Sequence, residues 1–417
     1  MARDNDPDVS ADTVPRSLWR NGDFLLLWSG QAISTLGTQI SGLALPLLVL
    51  ALTRSAAQAG LIAAVQTLPF LIFILPAGAL VDRWNRKRVM IRCDSARFLA
   101  YGSIPLAFAL GHLTLIHLYA VVLVGGTALA FFNLAEVAAL PRVVPAAHLP
   151  LANALNQSGE SAAGLLGPGL AGFIISLART TASGAALAYL VDSLSYLASV
   201  LSLGLIRTPF QVERVPVTQR SLRREIMEGL RFLWSYRRLR VMAFLTMSIN
   251  LFFSASYLAV IVLARGPLHA DARTIGLIFS LSSAGGLAGS VIAPWLKARL
   301  RYGQLTIGSV VLQALSVSLM AAAMSPAMLV LGQGLLIGMG PVFNVTVLSY
   351  RLTVTPDALQ GRVNGVARLL ANVCTPLGTA AGGLLLQPLG PRVELWPVAA
   401  GLGLSALTTS FTDVRRA

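Results

Sequence analysis

The sequence predicts an all-α membrane protein with twelve transmembrane helices arranged as two pseudo-symmetric six-helix bundles. Three observations lead there. Hydrophobic residues make up 55% of 417 positions and charged residues only 12%, about half the charge of a soluble chain. Apolar runs long enough to cross a bilayer core, roughly 20 residues each, recur along the whole length. The two halves also repeat: a shift of 211 residues superposes Gly78 on Gly289, Pro145 on Pro356, Asn153 on Asn364, Gly167 on Gly378 and Gly172 on Gly383.

The elements follow in order. Residues 1–23 are polar, with Asp4, Asp6, Asp8, Asp12 and Asp23, and read as a tail rather than a cleaved signal peptide. The first bundle, 24–206, holds spans near 24–52, 58–81, 89–111, 115–140, 155–178 and 184–206. The connection 207–240 is a basic linker. Its second half places Leu222, Ile226, Leu230 and Trp234 four residues apart, so it reads as an amphipathic helix lying on the membrane surface. The second bundle, 241–412, holds spans near 241–264, 273–297, 303–324, 327–350, 364–388 and 394–412, followed by the tail 413–417. Prolines inside spans, such as Pro46 and Pro105, are tolerable where neighbouring helices satisfy the freed backbone groups.

Charge sets the expected orientation. Of 32 lysines and arginines, the side opposite the termini receives only Arg54, Arg179, Arg265, Arg273 and Arg392, while Arg97 lies inside the third span. By the positive-inside rule both termini are cytoplasmic. Cys93 and Cys374 lie far apart and suggest neither a disulfide nor a metal site. The net charge of +15 sits in short clusters between apolar runs, which points to a lipid surface and away from nucleic acid. No cofactor is expected.

The sharpest motif is GALVDRWNRKR, 78–88. Gly78 lets a neighbouring helix come close. Asp82, at the end of its helix, is disfavoured by the helix dipole and needs a partner, with Arg83, Arg86, Arg142 and the N-terminus of span eleven after Gly361 as candidates. The loop matches the GxxxDRxxRK signature of the major facilitator superfamily, which the chain resembles over nearly its whole length. That resemblance implies a secondary transporter. It also implies an inner-side conformational latch of Gly78, Asp82, Arg83, Arg86, Lys87, Arg88 and Arg142. The second half keeps Gly289, Lys297, Arg299 and Arg301 but has Ala293 where an aspartate would stand.

In span five, Gly164, Gly167, Pro168 and Gly172 look like the glycine–proline motif of exporters in this superfamily. The stretches 140–155 and 355–370 resemble the macrolide-efflux and enterobactin-exporter subgroup. Span four lacks the RxxQG motif of proton-coupled drug antiporters, so proton coupling does not follow by motif. Within the spans, Asp94, Glu136 and Asp192 are the candidate coupling groups, with protons as the candidate ion. Glu136 lies near Arg142 and could equally form a structural ion pair. Asp94 and Arg97, one turn apart, read as an inner-end pair. Glu160 reads as supported by the start of its helix.

Cavity candidates are Ser34, Gln39, Asn133, Asn250, Tyr257, Gln333 and Asn344. The expected function is ion-coupled export of a small amphiphilic solute by a monomer in the cell membrane; import on the same fold is the rival. A Walker loop, HExxH and GxSxG are all absent, which argues against an ATP-driven pump or a hydrolase.

Overall fold

The computed structural model describes residues 18–211 and 222–416, without the side chains of 74–79, 82, 222–223, 358 and 416. Those side chains include that of Asp82, and Gly78 falls in the same undescribed stretch, so this part of the expected latch lies outside the described residues.

Every described element is helical. The first six long helices are α1 (Gly22–Thr53), α2 (Ala56–Arg83), α3 (Arg86–Ala109), α4 (Leu115–Val143), α5 (Leu149–Ser176) and α6 (Thr181–Leu205). A short helix, α7 (Leu222–Ser235), follows. The second six are α8 (Arg237–Arg265), α9 (Ala272–Arg299), α10 (Tyr302–Ala321), α11 (Pro326–Val354), α12 (Asp357–Leu389) and α13 (Pro391–Ser410). Polar caps fix many of the starts. Asn21, Ser55, Asn85, Thr114, Asp271 and Ser325 each accept a hydrogen bond from a backbone N–H in the first turn that has no helical partner. Among the described residues, nine helices are also apolar enough to span by composition. The three long helices outside that set are α3, α5 and α13. Each carries charge: Asp94 and Arg97 in α3, Glu160 in α5, Arg392 and Glu394 in α13.

Within each set of six, the helices pack mainly on one another. The sets meet along two crossings, α2 with α12 and α5 with α9. Both are made by glycine. A Cβ on Gly60 would lie 2.7 Å from the Cα of Gly383, and one on Gly172 would lie 2.9 Å from the Cα of Gly276. Such backbone-to-backbone approach is the small-residue packing available inside lipid, where apolar attraction between helices is weak. Gly169 N–H donates to Ser280 Oγ (2.8 Å) beside the second crossing.

These contacts share one end of the molecule. Gly60 is near the start of α2, Gly383 and Gly172 near the ends of α12 and α5, and Gly276 near the start of α9. Gln387 Oε1 accepts from Ala56 N–H (2.7 Å) at this end, and Arg265 donates to Thr181 Oγ1 (3.4 Å). The other end carries the first and last described residues, Leu18 and Arg416. There Asp23 accepts from the backbone of Arg207 and Thr208, and Arg237 pairs with Asp413 at 3.2 Å.

The linker helix differs from the expected surface helix. Ile226, Leu230 and Leu233 pack with Val366, Ala367 and Leu239, so the apolar stripe is covered by α12 and α8. Gly229 sits against the Arg362 carbonyl, and Arg362 bonds Glu228 (2.5 Å) and lies 3.9 Å from Glu225. Trp234 of the expected stripe, edge-on to Phe244, stays exposed, as does Met227, and the side chain of Leu222 lies outside the described residues. The physical reason is that α12 offers this stripe both apolar burial and a counter-charge.

Candidate functional site

A cavity of about 280 Å³ lies in the first six helices, running from mid-height toward the end with the termini. Its wall includes Trp28, Gln31, Ser34, Thr38 and Gln39 of α1, Asn133 and Glu136 of α4, and Asn156 and Glu160 of α5. A second cavity of about 240 Å³ shares Thr38, Arg97, Leu129 and Asn133 with it. This second one reaches Gln66 on α2 and Asn372 and Thr375 on α12, so it bridges the two halves.

The two cavities meet at a buried ionic cluster. Arg97 is 3% exposed, and Asp94 and Asp192 are 0%. Arg97 Nη1 lies 3.5 Å from Asp94 Oδ1, while its Nη2 donates to the Tyr196 hydroxyl and to Thr38 Oγ1 (3.3 Å). The guanidinium also sits 3.9 Å from the centre of the Tyr196 ring, a cation–π contact strengthened by exclusion of water. Ser199 donates to Asp94 Oδ2 (2.6 Å) and Ser195 to Asp192 Oδ1 (3.3 Å). Close helix approach makes the cluster possible. A Cβ on Gly37 would overlap Ser195 Oγ, so α1 passes directly over Asp192. Asp192 Oδ2, Arg97 Nε, Trp28 Nε1 and Gln31 Nε2 are buried without a hydrogen-bond partner. Each is hydrogen-bonding capacity left for a ligand or water.

The structure sorts the expected residues. Ser34, Gln39 and Asn133 line the first cavity with Glu136. Asn250, Tyr257, Gln333 and Asn344 line neither. Asn250 donates to its own helix at Thr246 O, Tyr257 packs on Phe279, Gln333 is buried in α11, and Asn344 is exposed. The Asp94–Arg97 pair exists, but it is part of a three-helix cluster rather than an inner-end pair. Glu136 faces the cavity, whereas Arg142 is exposed at the end of α4; among the described residues they form no ion pair. Glu160 lies three turns into α5, whose start is Leu149. That is too deep for support by the helix end, and it accepts instead from Gln157 (3.3 Å).

Among the basic residues of the expected latch, Arg86 donates to Ala138 O (2.9 Å) and Lys87 to Ile206 O (2.6 Å). Lys87 thereby caps the carbonyl end of α6, whereas Arg86 bonds a carbonyl inside α4. Arg83 and Arg88 are exposed, and the Arg88 N–H donates to Asn85. In the second half, Lys297 donates to Ser349 (2.7 Å), and Ala293 is buried. The glycine–proline motif has two faces: Gly164 and Gly167 lie against Gln39 of α1, and Gly172, with the Pro168 carbonyl, lies against Gly276.

A family model described as transmembrane secretion effector matches residues 14–417. The chain belongs to this family of the major facilitator superfamily. It is 25% identical over 390 residues to the multidrug efflux pump Tap of Mycolicibacterium fortuitum, covering 89% of this chain and 91% of that one. It is also 25% identical over 390 residues to the enterobactin exporter EntS of Citrobacter koseri, covering 91% and 89%. A bacterial homologue of the iron transporter ferroportin, 17% identical, shares the fold. Its inward-facing structure superposes with a TM-score of 0.76 over 94% of this chain and 98% of that one. Its outward-facing structure gives 0.58 over 93% and 98%.

Sequence reasoning missed Thr38, Gln66, Asn372 and Thr375 in the cavity walls. It also missed the link from Arg97 to Asp192 and Tyr196. A guanidinium in the middle of a span was the available signal, because a cation in lipid needs partners on other helices.

Proposed function

We propose that the protein is a secondary active exporter of small amphiphilic solutes, working by alternating access with both termini in the cytoplasm of a bacterial cell. One observation carries the reading. The first cavity is lined by the early part of α1 and α5 and the later part of α4, on the side of the described chain ends, while the glycine crossings hold the two halves together at the opposite end. With the basic loops inside, this is an inward-open arrangement that loads from the cytoplasm. The better superposition on an inward-facing relative of the same fold supports it.

The mixed wall of aromatic, amide and acidic groups suits an amphiphile. The relatives named as a multidrug efflux pump and a siderophore exporter support the direction. An ion gradient is sufficient as the energy source. One pH unit supplies about 1.4 kcal/mol, and 100 mV roughly 2.3 kcal/mol per charge.

The test uses everted membrane vesicles from a host lacking its own drug pumps. Energised vesicles carrying the protein should accumulate a fluorescent amphiphile and release it when the gradient is collapsed. Energised loss of preloaded amphiphile, the import direction, refutes the proposal.

A further inference from the structure

Among the described residues, five arginines lie at the closed end of the molecule: Arg54, Arg179, Arg265, Arg273 and Arg392. Two of them line one cavity of about 280 Å³ at the seam between the halves. The first half supplies Ser176, Arg179, Thr180 and Thr181 to its wall, and the second supplies Arg265 and Asp271. The cavity lies about one turn beyond the crossing of Gly172 with Gly276.

The wall has donors and positive charge to spare. Arg265 is half-buried. Its Nη2 makes only the 3.4 Å bond to Thr181, long for a hydrogen bond, and its Nη1 is buried without a partner. The Thr181 hydroxyl, which accepts from Arg265, keeps its own proton to donate. Neither Arg179 nor Arg265 has an ion pair among the described residues. Asp271 is the one carboxylate in the wall, and it is engaged in capping α9, where it accepts from the Thr274 N–H at 2.9 Å. Two guanidinium groups therefore face one carboxylate. Buried donors without acceptors are costly. An oxyanion supplies both the missing acceptors and the missing charge. The planar fork of arginine bonds two oxygens at once, which suits a phosphate group better than a halide.

We propose that this cavity binds a phosphate group, of a free anion or of a lipid headgroup, between Arg179 and Arg265, and that the bound anion clamps the closed end. Arg179 belongs to the first half and Arg265 to the second. The two forks share one anion only while the halves are together, and opening pulls them apart. The anion thus binds the closed arrangement more tightly, and that difference in affinity shifts the equilibrium towards it. The clamp rests on the alternating access proposed above; the anion site itself does not.

The experiment titrates inorganic phosphate onto the full chain in neutral phosphatidylcholine nanodiscs and follows phosphorus NMR line broadening, with chloride matching the ionic strength. Binding should saturate, and Arg179→Gln and Arg265→Gln should each weaken it about tenfold. Arg54→Gln, at the same end but outside the cavity wall, should bind as the wild type does. Equal binding by the wild type and both cavity variants overturns the site. Arg179 is exposed, so its variant keeps the test valid if Arg265→Gln does not fold. Native mass spectrometry of protein from nanodiscs containing phosphatidylglycerol separates the two sources. Retained lipid that Arg265→Gln loses marks a headgroup, and phosphate binding without retained lipid marks a free anion. A wild type that binds neither overturns the proposal. The clamp is read in Gly60→Ala, which loosens the other crossing without touching the cavity wall; Gly383→Ala serves if that variant fails to fold. With Cys93 and Cys374 replaced, spin labels on Leu110→Cys and Met324→Cys, both exposed at the closed end, should move closer when phosphate is added, and Arg265→Gln should abolish the shift. Phosphate that binds without shortening this distance overturns the clamp. The vesicle direction assay is independent of all these outcomes, so failure of the clamp and failure of the export reading are distinguishable.

Discussion

Arg97 holds together groups from three helices. It pairs with Asp94 on its own helix, bonds Thr38 on α1 and stacks on Tyr196 of α6. Removing it leaves Asp94 buried without a counter-charge, and breaking a buried pair from one side typically costs about 3–5 kcal/mol. Arg97→Ala should therefore lower the thermal unfolding temperature in detergent markedly. The double variant Asp94→Asn, Arg97→Ala should recover part of that loss; a double variant as unstable as the sum of both singles would contradict the pairing. The Asp94–Arg97 contact was legible in the sequence because one helical turn separates the two. Asp192 was legible as a buried acid but not as a neighbour, since nothing local signals a contact across about a hundred residues. Gly37 carried a faint signal, because only a bare α-carbon lets α1 pass over Ser195 and Asp192.

At the scale of elements, α7 is a strut on α12. Ile226 and Leu230 were readable from four-residue spacing, but Leu233 and the surface they cover were not. Amphipathicity specifies that a face is buried and leaves open whether lipid or protein buries it. Glu225 and Glu228 decide the matter by meeting Arg362. Because the pair is partly exposed, Glu228→Gln should cost no more than about 1 kcal/mol of global stability. It should still increase hydrogen exchange in residues 224–235 several-fold, while α8 stays protected. Exchange unchanged in that segment would show that apolar packing alone holds α7. A second element-scale expectation concerns α5. Gly172→Leu cannot keep the backbone contact with Gly276. It should shift the population away from the inward-open state, seen as longer spin-label distances between α5 and α9 at the end far from the termini.

For the whole molecule, a reversible lock tests alternation directly. Ala56 and Gln387 meet across the halves at the closed end. With Cys93 and Cys374 replaced, Ala56→Cys with Gln387→Cys should cross-link under oxidation, stop transport and regain it on reduction. Transport that persists in the oxidised form would show that this end need not open. The twelve-helix plan was legible because lipid imposes length and apolarity on every span. The cavity was only half legible: amides such as Asn133 and Gln39 stood out, while Asn250 and Tyr257 were drawn into helix and core contacts. The repeat acquires a physical meaning as well. Gly172 and Gly383, matched at the same offset in the sequence, each sit at one of the two crossings. At the glycines themselves backbone meets backbone, and the side-chain hydrogen bonds beside them, Ser280 with Gly169 and Gln387 with Ala56, must break as the halves part. The slot that opens there has no protein atoms to fill it, so acyl chains or water must flow in. The pace of the cycle is then set partly by the fluidity of the surrounding bilayer, and stiffening the membrane should slow turnover without weakening solute binding.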